Sequence, residues 1–158
     1  MRTAFLSLLF VIAITATAQA RLGETPDQLV ARYGQPLSEA DQKAEGIKVA
    51  EAVVVFQKGG FEIDVTVADG VSVQEVFKKV NGQPLTLSEA RTLLNSNAQG
   101  LDWEAPVSTL GGGKLWKRDD NATALAASDG SLVIKSRTLA VKEAVARKEE
   151  KTPSLEGF

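Results

Sequence analysis

Cysteine and histidine are both absent from this 158-residue chain. Without Cys there is no disulfide, so the fold must hold by packing and hydrogen bonding alone. The same absence removes thiolate chemistry and the diacylglyceryl-cysteine anchor of bacterial lipoproteins. Without His, the commonest general base, the usual zinc ligand and the Ser-His-Asp and Cys-His nucleophile arrangements all disappear. Enzymatic chemistry is left to carboxylates, Lys, the single Tyr33 or Ser/Thr–Lys pairs. Strong charge of one sign is missing as well: 18 basic against 20 acidic side chains give a net charge of −2. No basic stripe marks a nucleic-acid partner. The one basic cluster, residues 142–151, is interleaved with Glu143, Glu149 and Glu150 and has the pattern of a solvated helix face. The expectation is therefore no catalytic residue, no cofactor and no metal site.

What is present begins with an address. Arg2 precedes an uncharged run through Phe5, Leu6, Leu8, Leu9, Phe10, Val11, Ile12 and Ile14, and Ala18-Gln19-Ala20 closes it in the A-x-A form of a signal-peptidase site. The run is shorter than the ~20 apolar residues of a spanning helix. Residues 1–20 are expected to be a cleaved Sec-type signal. Arg21 rather than Cys follows it, so the product is released to the periplasm or the exterior, without stable membrane insertion.

Residues 21–150 then read as one α+β domain. Thr25-Pro26-Asp27-Gln28 combines a capping Thr, Pro at the first helical position and Gln at the third, and Gly34 and Pro36 end the helix, placing it at 26–33. Residues 38–46 are polar and read as a loop with at most one helical turn. Two β-rich runs, 47–57 and 61–68, flank Gly59-Gly60, a two-residue hairpin turn. That turn sets Phe56 against Ile63, Val54 against Val65 and Ala52 against Val67, an all-apolar row, while Val55 faces Asp64 on the other side. At Asp69-Gly70 a two-residue turn would set Val67 against Ser72 and Val65 against Gln74, whereas a three-residue loop, Ala68-Asp69-Gly70, sets Val67 against Val71 and Val65 against Val73. The latter is preferred, and the third strand runs to about residue 80.

The order then recurs. Thr86-Leu87-Ser88-Glu89 is a capping box opening a second helix, with Leu87, Ala90 and Leu94 on one face, fading over 97–100. Residues 101–113 read as a loop ending in a Gly111-Gly112-Gly113 hinge, followed by strands at 114–118, 122–127 and 132–136. Turns at Asp120-Asn121 and Asp129-Gly130 would set Trp116 against Leu125, and Leu125 against Ile134. A terminal helix is expected over 138–150 and a flexible tail over 151–158. The chain thus reads as two helix–β-meander units, 25–84 and 86–136, with short helices on one face, plus a C-terminal helix. Duplication is one explanation of that repeated order.

The segment from Leu22 to Leu29 with Arg32-Tyr33-Gly34-Gln35-Pro36, and later Trp116 with its Asp-rich turn, resembles a set of small exported bacterial proteins that carry no assigned activity. More distantly, the signal, the capped helix ending in Gly-x-Pro and the meander are similar to the SmpA/OmlA (BamE) envelope domain. Two such units in tandem resemble the β-lactamase-inhibitor-protein architecture. These resemblances imply work by binding other proteins. The chain departs from both in lacking the lipid-anchor Cys and the inhibitor's disulfide Cys, and no functional residue carries over.

Several residue groups invite a chemical reading. Asp119-Asp120-Asn121 with Asp102 or Glu104 offers oxygens for a divalent cation, but lacks the spaced ladder and closing Glu of a calcium loop, and reads better as a turn. Gly111-Gly112-Gly113-Lys114 lacks the strand-before, helix-after context of a phosphate loop. Glu62, Asp64 and Glu75 lie on neighbouring strands and raise glycosidic chemistry, which needs two carboxyls in one cleft. Asn121-Ala122-Thr123 fits a glycosylation sequon, uninformative behind a bacterial-type signal. Trp103 and Trp116 flank the 103–114 loop; Trp116 reads as core, and Trp103 as a possible anchor for a peptide or sugar. The binding candidates are therefore Trp103, Gly111, Gly112, Gly113 and Lys114. The expected function is an exported, soluble, non-catalytic module that engages a protein or envelope component through its sheet face, an edge strand or this loop. The alternative is a carboxylate-dependent hydrolase acting on envelope polymers.

Overall fold

The computed structural model describes residues 21–40 and 52–151. The expected export signal, the expected loop from residue 41, the expected strand portion at 47–51 and the expected tail from 152 lie outside the described residues.

Local chemistry sets the helices. α1 (Pro26–Tyr33) and α2 (Leu87–Ser96) each open with a complete capping box. Thr25 N donates to Gln28 Oε1 at 2.9 Å, and Thr86 N donates to Glu89 Oε2 at 2.7 Å. Each box occupies backbone N–H groups that a helix start leaves without intrahelical partners. Gly34, at φ +96°, takes the chain out of α1 in a conformation that a β-carbon disfavours. The third helix, α3, spans Arg137–Lys151.

The strands are β1 (Ser38–Ala40), β2 (Ala52–Lys58), β3 (Phe61–Ala68), β4 (Val71–Lys79), β5 (Val107–Ser108), β6 (Lys114–Lys117), β7 (Thr123–Ala126) and β8 (Leu132–Lys135). They form one antiparallel sheet in the order β1-β2-β3-β4-β8-β7-β6-β5, so the two halves of the chain meet where β4 pairs with β8. The β2–β3 register is the expected one throughout, with Val54 opposite Val65 and Phe56 opposite Ile63.

Elsewhere the register differs from expectation, and turn length is the reason. Asp69-Gly70 forms a two-residue turn, with Ala68 opposite Val71 and Val67 opposite Ser72, not the three-residue loop. A bulge then shifts the pairing by one residue, so Val65 faces Glu75 rather than Val73. Conversely, three-residue loops replace the two expected two-residue turns. Arg118 N bonds Ala122 O around 119–121, and Ala127 N bonds Ser131 O around 128–130. Trp116 therefore faces Ala124, and Ala124 faces Ile134; Leu125 lies on the other face, between Leu115 and Val133. Two further strands were not expected. Ser38–Ala40, read as loop, pairs with β2, and Val107–Ser108, inside the expected 101–113 loop, pairs with β6. The Gly111–Gly113 stretch is a closed hairpin turn rather than a hinge. Thr109 N donates to Gly113 O at 3.0 Å, and Gly113 N to Thr109 Oγ1 at 3.0 Å.

One sheet face carries the core. Across six strands runs the buried row Val54, Val65, Glu75, Ile134, Ala124 and Trp116. α1 and α2 cover it: Tyr33 packs on Phe56 with ring centroids 5.4 Å apart, and Leu29, Ala90 and Leu94 join the same cluster. α3 lies against the opposite face, where Lys135 Nζ holds Glu143 at 2.8 and 2.9 Å and Leu139 is buried.

Candidate functional site

The helical period brings Arg91, Leu94 and Asn95 onto one side of α2, Leu94 turned into the core and the other two exposed. Beside them the chain leaves α2 and returns along the sheet edge, where Trp103 forms an isolated bridge with Arg118. Together with Glu104, Ala105, Pro106 and Trp116 these residues line a groove of about 340 Å³. Both tryptophans of the chain meet there.

Trp103 is held in a fixed orientation. Its indole Nε1 donates to Leu94 O at 2.9 Å, and the Arg118 guanidinium lies over its ring, 5.5 Å from the centroid. Such a cation over an aromatic face is attracted by the ring quadrupole. Arg118 is itself only 2% exposed. It grips Asp120 with two bonds, Nε to Oδ1 at 2.9 Å and Nη2 to Oδ2 at 2.7 Å, and donates through Nη1 to Asn97 O. Asp120 is held below the usual carboxylate range, first by its bonds to Arg118. Asp120 is thus a structural anchor, and Asp119 accepts from Asp102 N at 3.3 Å. No group of three or more acidic side chains is placed to hold a metal among the described residues.

Behind Arg118 the polar chain runs into the core. Asn97, at the C-cap of α2, donates Nδ2 to Glu75 Oε2 at 2.8 Å, and both side chains are fully buried. Burial pushes the Glu75 carboxyl up to about 7, against the opposing pull of Arg32, Tyr33 and Asn97. Tyr33 is raised far above an ordinary phenol, by burial first and then by the Glu75 charge. Arg32, lowered by burial, pairs with Glu24. Tyr33 Oη and Glu75 Oε1 are buried without a hydrogen-bond partner among the described residues. In the expected three-residue loop Glu75 would already stand opposite Ile63 on the apolar face. In the two-residue turn that forms, Gln74 would oppose Val65, and the bulge is what turns Glu75 inward.

The sequence candidates separate in space. Trp103 lines the groove, while Gly111, Gly112, Gly113 and Lys114 belong to the β5–β6 hairpin and do not. Lys114 Nζ donates to Ser108 Oγ at 2.8 Å across that hairpin. A β-carbon at Gly113 would come within 2.5 Å of Ala126 O, so this glycine serves close strand packing. Glu62 and Asp64 fall on the α3 side of the sheet, across it from Glu75, and Asp64 is paired with Lys78 at 2.8 Å. Those three carboxyls do not converge. No helix among the described residues is long and apolar enough to cross a membrane. No protein-family model matches this chain, and no curated protein or solved structure is significantly similar to it.

Proposed function

We propose that this chain is an exported, non-catalytic binding module that engages a protein or another envelope component, and that the groove between α2 and the Trp103 segment is its binding surface. The observation that carries this reading is the rigid presentation of Trp103: an indole already fixed by Leu94 O and Arg118 loses little freedom when a ligand meets it. The export signal supplies the compartment, with a released rather than lipidated product. The finer fold reading belongs here too: one helix–meander unit used twice. Capping boxes at Thr25 and Thr86 open corresponding helices, and the sheet order is symmetric about the β4–β8 pair, which supports it.

Immobilised full chain, challenged with soluble envelope proteins and with purified wall and surface polymers, tests the proposal. Retention of a component that is lost with the Arg91→Ala/Asn95→Ala double variant is the expected result. Retention unchanged by that variant removes the groove from the function.

The raised Glu75 carboxyl favours one competing reading, the hydrolase. That chemistry requires a second carboxyl ~5–9.5 Å away in an open cleft. Turnover of a purified wall polymer, abolished by Glu75→Gln, would establish it. Full burial of Glu75 argues for a structural role instead.

A further inference from the structure

The grooves of this molecule differ in whether their polar side chains are already engaged. Where Glu62, Lys78, Lys79 and Asp129 line a hollow near β4, Lys78 is tied to Asp64 and Lys79 to Glu89, each at 2.8 Å. Under α3, Glu143 holds Lys135 at 2.8 Å and meets Arg147 at 3.6 Å. In the Trp103 groove, by contrast, the Arg91, Asn95 and Glu104 side chains make no hydrogen bond or ion pair among the described residues. They stand exposed around a floor of Trp103, Trp116, Leu94 and Pro106.

We propose that this groove is a carbohydrate-binding site for a short, uncharged oligosaccharide segment, a proposal that rests on the binding-module reading above. Three features point to this ligand class. A guanidinium, an amide and a carboxylate are all planar groups offering paired polar atoms. Neighbouring hydroxyls of a sugar ring present the matching pairs. The fixed indole supplies an electron-rich surface on which the polarised C–H face of a sugar ring rests. Arg91 and Glu104 cancel in charge, so the groove favours a neutral ligand over a phosphate or a polyacid. The volume of about 340 Å³ suits a small ligand rather than a folded partner. A proline-rich peptide would use the same aromatic floor, but needs apolar slots more than three forked polar groups.

Because both tryptophans line the groove, intrinsic fluorescence of the full chain reports on it directly. Chitotriose, cellotriose and maltotriose are titrated separately, with a proline-rich peptide as the contrasting probe. The expected result is a saturable emission change with at least one sugar at or below ~1 mM. Arg91→Ala, Asn95→Ala and Glu104→Ala each weaken it ~10-fold through a lost hydrogen-bonding group. Their melting temperatures stay at the wild-type value, because all three side chains are exposed. The proposal is overturned by a response to the peptide alone, by silence to all three sugars at ~10 mM, or by sugar responses that the variants leave intact. Silence to sugars combined with groove-dependent retention of an envelope protein refutes only the ligand class; loss of both refutes the binding module as well.

Discussion

Asn97 Nδ2 reaches Glu75 Oε2 over 2.8 Å and so joins the end of α2 to the middle of the sheet. Around this bond the molecule holds its only buried carboxylate among the described residues, in a row that is otherwise apolar from Val54 to Trp116. From Asn97 the contacts continue through its carbonyl to Arg118 and on to the Trp103 ring. The groove's aromatic floor is therefore supported from inside the core.

The Glu75 carboxyl makes stability depend on pH, and the sign follows from its direction of shift. Its folded value of about 7 lies above the ordinary 4.5, so the folded chain binds the proton more tightly than the unfolded chain. Stability is full below the unfolded value, declines as pH rises, and the loss is complete once pH passes the folded value. The displacement corresponds to about 3 kcal/mol. Melting temperature is expected to be higher at pH ~5 than at pH ~8, and Glu75→Gln, which keeps an acceptor for Asn97, should flatten that difference. An unchanged difference in the variant would assign the pH dependence to other groups.

The helix caps offer a second test. Thr86→Ala removes the acceptor for Glu89 N, and a lost cap of this kind costs about 1 kcal/mol. Thr25→Ala should cost less, because Gln28 N stands 3.5 Å from Thr25 Oγ1, against 3.2 Å in the α2 box. Glu89, held down to about 2 mainly by its bond to Lys79, adds a link from α2 to β4 that α1's box lacks. Urea unfolding of the two variants ranks them.

Much of the first half was legible because its local signals agree. Pro26, the Thr25–Gln28 box and Gly34 bracket α1 to the residue, and Gly59-Gly60 fixes the β2–β3 register because any slip would turn the Val54–Phe56 face outward. Loop length was not legible at Asp69-Gly70, Asp120-Asn121 or Asp129-Gly130. Asp-Gly and Asp-Asn pairs suit both two- and three-residue hairpins, and at the last two turns either length keeps an apolar row. At Asp69-Gly70 the apolar pairing favoured the longer loop, because alternation does not reveal the bulge that restores the row. β1 and β5 are three- and two-residue edge strands whose order comes from β2 and β6, not from their own residues. At the candidate site Trp103 stood out as an aromatic in a loop. Arg91 and Asn95 did not, because an exposed polar face of a helix looks the same with or without a groove beside it.

Two glycines with left-handed backbones separate conformational strain from crowding. Gly70 has φ +77° and open space where a β-carbon would go, whereas at Gly130, with φ +85°, that carbon would sit 2.5 Å from Pro84 Cα. Gly70→Ala should cost about 1–2 kcal/mol from backbone conformation. Gly130→Ala adds an overpacking cost of about 1–3 kcal/mol, and its turn residue would also press on the bond from Leu85 N to Gly130 O. Equal destabilisation in urea would mean that the 82–86 segment moves aside freely.

Arg118 tests whether charge or shape supports the groove. Its guanidinium makes the two bonds to Asp120, the bond to Asn97 O and the stacking contact with Trp103 at once, a set that depends on a planar fork. Lysine keeps the positive charge but cannot reproduce the fork, and it leaves an ammonium in a position that is 2% exposed. Methionine loses the bonds yet buries no charge, and Asp120, with a side chain 41% exposed, can turn to water. Arg118→Lys is therefore expected to destabilise by about 3 kcal/mol, at least as much as Arg118→Met. Both variants should shift tryptophan emission, since the Trp103 ring loses its cover. A lysine variant as stable as wild type, with unshifted emission, would mean that a point charge suffices and that the fork does not hold Trp103 in place.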